Sequence, residues 1–176
     1  ACRTAYGNAL LSLAKGNRSI VAITADLADS VKTNLLRDAY PHRHIECGIA
    51  EQHMVTTAGA LSLSGFVPFC STYGAFMTSR AKDQARVNDI NRTNVKMVAT
   101  HCGLSVGKDG PTHQSIDDVG SMLGLLHTQV IEPCDANHCD RIIRYAASHE
   151  GNMYIRMGRH DLPIVTKEDG TPFYDT

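Results

Sequence analysis

Along this chain, short unbroken apolar runs alternate with longer stretches whose apolar residues recur every three or four positions. The first pattern marks buried strands and the second helices. SIVAITADL is continuous, rich in β-branched residues and too short for a helix, as expected of a strand covered on both faces. Further strands are predicted at RHIEC, which is short, and at FVPFCST, VKMVATH, TQVIEP and MYIRMG. Between them, RTAYGNALLSLAKGN predicts a helix with Ala5, Leu10, Leu11 and Leu13 near one side and a stop at Gly16 and Asn17. Val31 to Ala39 predicts a second helix, AEQHMVTTAGALSLSG a third ending at Gly65, and FMTSRAKDQARVNDI a fourth with its charges on one side. DDVGSMLGLL and DANHCDRIIRYAASHEG predict two more, whereas CGLSVGKDGPTHQSIDD is too rich in Gly and Asp for either regular form.

Strand and helix in strict alternation imply the α/β class: an open, mostly parallel twisted sheet with helices on both faces. Residues 1–160 form that domain, and 161–176 (DLPIVTKEDGTPFYDT) read as an exposed linker. Ligands of such sheets sit beyond the carboxyl ends of the strands, and the polar residues of this chain cluster there. Asp26 and Ser30 follow one strand, Glu51 the next, Tyr73 and Phe76 the third, His101 and Asp109 the fourth, and Arg159 the last.

Composition narrows the field. A chain of 176 residues with 43% hydrophobic and 20% charged residues is one ordinary globular domain. A formal net charge of -1 gives no electrostatic case for nucleic acid or an acidic membrane surface, and no run approaches the length of a membrane span. Ala1 opens the chain without a signal-like segment, which points to a segment trimmed from a larger parent. Six scattered cysteines without a CxxC pair suit reduced thiols in the cytoplasm. The spacing of Cys134, His138 and Cys139 is a weak zinc signal and assigns no metal site.

Several residues carry two readings each. Glu51 is a helix-start acid favoured by the macrodipole, or a partly buried carboxyl able to share a proton with a heterocyclic nitrogen. The loop HCGLSVGKDGPTHQ is an ordinary surface turn, or a scaffold that Gly103, Gly107, Gly110 and Pro111 shape around His101, Asp109 and His113. Arg3, Ser30 and Arg159 are unremarkable singly; together with His101 they would receive a phosphate monoester. Tyr73 and Phe76 are core aromatics or a stacking platform for a flat ring. Neither GxxxxGK[ST] nor GxGxxG is present.

Read in order, GIAEQHM, STYGAFMTSRAKDQ, THCGLSVGKDGPTHQSIDD and IRMGR resemble the pyrimidine-binding domain of transketolases, with consistent spacing from Arg3 to Pro163. Deoxyxylulose-phosphate synthase has similar motifs around Glu51 and Asp109, but the His-Cys-Gly after MVAT resembles transketolase. The resemblance implies a transferase moving a two-carbon ketol unit between sugar phosphates in the cytoplasmic pentose phosphate pathway, with thiamine diphosphate as cofactor. It makes Glu51 the acid that hydrogen-bonds a ring nitrogen of the aminopyrimidine and promotes its imino tautomer. It makes Tyr73 and Phe76 the aromatics that stack on that ring, and Asp26 an acid beside the cofactor. Asp109 and His113 then contact sugar hydroxyls and the reacting centre, so that Glu51 and His113 are the catalytic pair. Arg3, Ser30, His101 and Arg159 become the phosphate clamp. A third stacking aromatic of some members falls near Ser79 here, and Lys108 stands where many members carry an acid.

In that family the diphosphate and its metal, Mg2+ or Ca2+, are held by a separate domain with a Gly-Asp-Gly motif, and this sequence has no such motif. The chain is therefore expected to supply half of an active site, to need a diphosphate-binding partner domain or subunit, and to work as a homo- or hetero-oligomer such as a dimer. Two other outcomes stand beside this one: a synthase-like enzyme joining pyruvate to an aldose phosphate, and a non-catalytic regulatory or assembly subunit with the same fold.

Overall fold

The computed structural model of the chain describes residues 1–175. Six strands form one all-parallel sheet: β1 (Ile20–Thr24), β2 (His44–Glu46), β3 (Val67–Tyr73), β4 (Lys96–Thr100), β5 (Thr128–Ile131) and β6 (Asn152–Arg156), in the order β2-β1-β3-β4-β6-β5. The helices are α1 (Cys2–Gly16), α2 (Ala28–Val31), α3 (Asn34–Ala39), α4 (Glu51–Leu63), α5 (Gly74–Arg80), α6 (Lys82–Ile90), α7 (Asp118–Leu123) and α8 (Ala136–Ser148). β1, β3 and β4 have few or no exposed positions because both faces of the sheet are covered, which is why they read as continuous apolar runs.

The two-residue period of a strand divides the core. Ile20, Ala22, Phe69, Val98, Met153 and Ile155 face α1, α3 and α8, while Ile23, Cys70, Met97, Ala99 and Tyr154 face α4, α5, α6 and α7. On α1 the residues that enter the first layer are Cys2, Tyr6, Ala9, Leu10 and Ala14, with Ala5 and Leu13 partly covered; Leu11 lies outside it. The true face follows a three- and four-residue spacing from Cys2 and Tyr6, both displaced from the Leu-rich side that the sequence suggests.

Two of the predicted helices are broken. Lys32 takes a left-handed conformation (φ 70°), so the 31–39 stretch becomes α2 and α3, followed by a 3-10 turn at Pro41–Arg43. The helix expected from Phe76 to Ile90 begins at Gly74 and is interrupted at Ala81, giving α5 and α6. Segment 161–175 contains no helix or strand and is mostly exposed, yet it is pinned along α8. Val165 N donates to Asp135, Asn137 donates to the Tyr174 carbonyl, and the His138 ring stacks on Tyr174 with centroids 4.1 Å apart. Position 176 of the expected linker lies outside the described residues.

Candidate active site

Strand order reverses about β1: the chain goes from β1 outward to β2 and then returns to place β3 on the other side of β1. Such a switch point opens a crevice at the carboxyl ends of the strands. Asp26 and Ser30 follow β1, Tyr73 ends β3 with Phe76 in the next helix, and His101 follows β4. Glu51 arrives from β2 as the first residue of α4. With Arg159 after β6 and Arg3 from α1, the crevice collects residues from five strand ends and one helix, and all the sequence-predicted site residues meet along it.

Glu51 is buried, with 5% of its surface exposed. The loop that delivers it is ordered by Glu46, whose Oε1 accepts from the backbone N–H groups of Asp26 (2.7 Å) and Gly48 (2.9 Å). Arg80 Nη1 donates to Glu51 Oε1 at 2.6 Å, and Glu51 Oε2 has no partner among the described residues. Two hollows adjoin the carboxylate. One of about 100 Å³ is lined by Asp26, Ile49, Glu51, Phe76 and Arg80, among others. An open one of about 520 Å³ shares Ile49, Glu51 and Arg80 with it and adds Gln52, His53 and Ser79.

Tyr73 and Phe76 form the wall between this carboxylate and a second, basic cluster. Their rings stack with centroids 5.4 Å apart, and His113 meets the Phe76 ring edge-on at 5.2 Å. On the other side, the Tyr73 ring lies 3.9 Å from the His101 ring, and its hydroxyl is 2.8 Å from Ser30 Oγ. Ser79, at the position of a possible third aromatic, bonds back to the Ala75 carbonyl instead of extending the platform.

In the basic cluster, Arg3 Nη1 donates to the Ser30 carbonyl (2.9 Å) and Nη2 to the Arg159 carbonyl (3.3 Å), while Arg3 Nε is buried without a partner among the described residues. Arg159 Nη1 donates to Asp109 Oδ2 and to the Val106 carbonyl, both at 2.6 Å. His101 sits between the two arginines with a left-handed backbone (φ 58°) and only 2% exposure. Burial, reinforced by the Arg3 and Arg159 guanidinium groups, lowers its pKa to about 4. The ring is thus neutral near pH 7; Nδ1 faces the Thr100 hydroxyl at 2.9 Å, and Nε2 has no hydrogen-bond partner among the described residues. Asp26 also holds a left-handed backbone (φ 58°), and strain of this kind concentrates at functional sites. Lys108 is exposed at the loop tip.

The long loop is anchored by groups that sequence reading passed over. Asp118 is buried and accepts from Tyr154 Oη and Arg156 Nε, each at 2.8 Å; Arg156 also pairs with Glu132. Arg80 was likewise unmarked, although its place four residues after Phe76 on one helix face was a readable signal. Away from the crevice, Cys139 is buried with its thiol toward the Cys2 carbonyl, and Cys134 is exposed beside His138. Among the described residues no group of three or more His, Cys, Asp or Glu side chains is disposed to hold a metal ion, and no helix is long and apolar enough to cross a membrane.

A doubly covered parallel sheet with a carboxylate, an aromatic wall and a basic cluster at its switch point is an α/β ligand-binding domain. The match to known proteins is specific: residues 1–165 fit the family model described as the pyrimidine binding domain of transketolase, and the chain belongs to that family. It is 35% identical over 168 residues to a putative transketolase C-terminal section from Methanocaldococcus jannaschii, a match covering 95% of this chain and 53% of that one. Human transketolase is 36% identical over 166 residues, covering 94% of this chain and 26% of the human protein. Among solved structures, a split-gene transketolase described as an inactive β4 tetramer superposes with a TM-score of 0.84 at 40% identity, covering 96% of this chain and 55% of that one. Transketolase from Campylobacter jejuni gives 0.85 at 26% identity, with 96% and 28% covered. The chain thus spans about half the length of the split relatives and about a quarter of the long ones.

Proposed function

We propose that the chain provides the pyrimidine-binding half of a transketolase active site, transferring a two-carbon ketol unit between sugar phosphates in the cytoplasm. The observation that carries this reading is the buried Glu51 carboxylate, with one oxygen free, opening onto a hollow walled by Phe76. These residues fit the aminopyrimidine of thiamine diphosphate: a carboxyl able to share a proton with a ring nitrogen, and an aromatic face for the ring. When bound, the cofactor supplies the electron sink that lets a ketose carbon–carbon bond break and re-form.

The chain's own residues do the rest. Glu51 holds the proton shared with a pyrimidine nitrogen, Phe76 and Tyr73 support the ring, and Asp26 lies along the same hollow. Arg3, Ser30, His101 and Arg159 grip the substrate phosphate; the charge comes from the two arginines, since His101 is neutral and contributes a hydrogen bond. The unpartnered Arg3 Nε is a donor awaiting such an acceptor. His113, beside Phe76, reaches the reacting centre, and Asp109 meets sugar hydroxyls while steering Arg159. The diphosphate and its Mg2+ or Ca2+ belong to the partner half. The inactive tetramer described for the split-gene relative supports the need for that partner.

Reconstitution tests the reading. The chain, a diphosphate-binding transketolase subunit, thiamine diphosphate, magnesium, xylulose 5-phosphate and ribose 5-phosphate are expected to yield sedoheptulose 7-phosphate, and the chain alone none. Glu51→Gln is expected to cut kcat by on the order of a hundredfold or more, the scale of a lost acid–base group. Failure to turn over with any such partner would favour a regulatory subunit.

A further inference from the structure

Arg80 ends α5 one turn after Phe76, so both side chains project from one face of that helix. Its Nη1 is bonded to Glu51 Oε1, and its guanidinium carbon stands 4.0 Å from the centroid of the Phe76 ring. It therefore makes two contacts at once: N–H into the Glu51 carboxylate, and a flat face on Phe76. Those are the contacts that an aminopyrimidine makes in the proposed site. A guanidinium is planar, stacks on aromatics and puts an N–H where the ring nitrogen would share a proton with the carboxyl, so it occupies both contacts of the ring.

The Phe76 ring is already met by Tyr73 in a stack, by His113 at its edge and by Arg80. A further flat group can stack there only by displacing one of them. Tyr73 is tied to Ser30 and packed on His101, and His113 is carried by the Gly-rich loop. Arg80 has a long flexible stem and a side chain 46% exposed. It also lines both hollows, together with Ile49 and Glu51. Swinging the guanidinium into the larger hollow frees Glu51 Oε1 and Phe76 together. Because the Glu51 carboxylate is buried, Arg80 gives way only to a group that itself hydrogen-bonds that carboxylate, while its own half-exposed end and single cation–π contact hold it weakly.

We propose that Arg80 is a removable stand-in for the cofactor's pyrimidine: it keeps Glu51 and Phe76 engaged in the cofactor-free chain and is expelled when the ring enters. The inference rests on the pyrimidine-binding reading. Its partner-independent consequence is that Arg80 competes with the ring, so that removing it strengthens ring binding.

The test titrates 4-amino-5-hydroxymethyl-2-methylpyrimidine, an uncharged probe, into the full chain, following binding by calorimetry and the Arg80 Nε–H resonance by NMR. Arg80→Ala is expected to bind on the order of three- to tenfold tighter than the parent chain, and Arg80→Gln, still a donor to Glu51, in between. Salt is expected to strengthen binding to the parent chain by screening the ion pair, and to leave Arg80→Ala unchanged. The Nε–H resonance of the parent is expected to move as the probe saturates. Equal or weaker binding by Arg80→Ala, with Glu51→Gln impaired, would overturn the stand-in role while leaving the pyrimidine site intact. Undiminished binding by Glu51→Gln, or no binding by any of these chains, would overturn the pyrimidine reading and the inference with it.

Discussion

His101 shows how much a single side chain of this site gives up to be neutral. Its ordinary pKa near 6.5 falls to about 4, first through burial and then through Arg3 and Arg159, with His113 adding to the shift and Asp109 opposing it. Between those values the unfolded chain binds a proton that the folded one refuses, so stability is complete above about pH 6.5 and is lost as pH falls toward 4. From pH 7 to 5 the loss assigned to His101 is on the order of 2 kcal/mol. His44, also lowered mainly by burial, adds to it in the same direction. Asn tolerates the left-handed backbone required at 101 and does not titrate. His101→Asn is therefore expected to shed most of this pH dependence, measured as the urea midpoint of both chains at the two pH values. An unchanged slope would remove His101 from the account. At this scale the sequence was informative about which residues gather, because residue type and distance past a strand are both written in it. It was silent on which were already occupied by one another: the Arg80–Glu51 and Arg159–Asp109 pairs join residues 29 and 50 positions apart, and only the fold brings them together.

At the scale of elements, strands were easier to read than helices for a physical reason. A strand covered on both faces is built mainly of apolar, often β-branched side chains, as in Ile20–Thr24, and the buried Lys96 that opens β4 is tolerated because its ammonium meets three oxygens. Helix interruptions at Lys32 and Ala81 carry no Gly or Pro, so tertiary packing sets them and local sequence does not announce them. Gly74 was equally unannounced as a contact point. A Cβ built there would stand 2.5 Å from Cys102 Sγ and 2.9 Å from Ser115 Cβ, so the start of α5 lies directly against both ends of the 102–115 loop. Ser115 and Cys102 are bridged to each other and buried. Gly74→Ala is thus expected to force the loop away, costing on the order of 1–3 kcal/mol in urea denaturation. Because Asp109 and His113 ride on that loop, limited proteolysis is expected to nick residues 103–114 of the variant faster than the parent. Equal nicking rates would mean that the loop is held by Asp118 and Arg156 alone.

The whole molecule presents a site that is finished on one side only. Its inner wall is the sheet edge and its aromatics; its outer rim carries Ile49, Leu104 and Ile116, exposed by 75%, 73% and 71%. Ile49 lines both hollows at Glu51, and Leu104 and Ile116 lie at the two ends of the loop that bears Asp109 and His113. Lone exposed apolar residues mean little; in the proposed assembly these three are candidates for the surface that the partner half covers. The proposed diphosphate-binding partner has to approach this rim, because the rest of the cofactor must project from it. Replacing the three by Asp, singly and then together, buries a charge at that contact while disturbing no core packing. The triple variant is expected to keep the parent's urea midpoint yet to lose assembly with the partner subunit by at least tenfold in Kd, read by analytical ultracentrifugation; the double variant at Leu104 and Ile116, which leaves both hollows untouched, is expected also to keep its binding of the free pyrimidine. Assembly that survives all three substitutions would move the contact elsewhere, and the crevice would then need another explanation for its apolar rim.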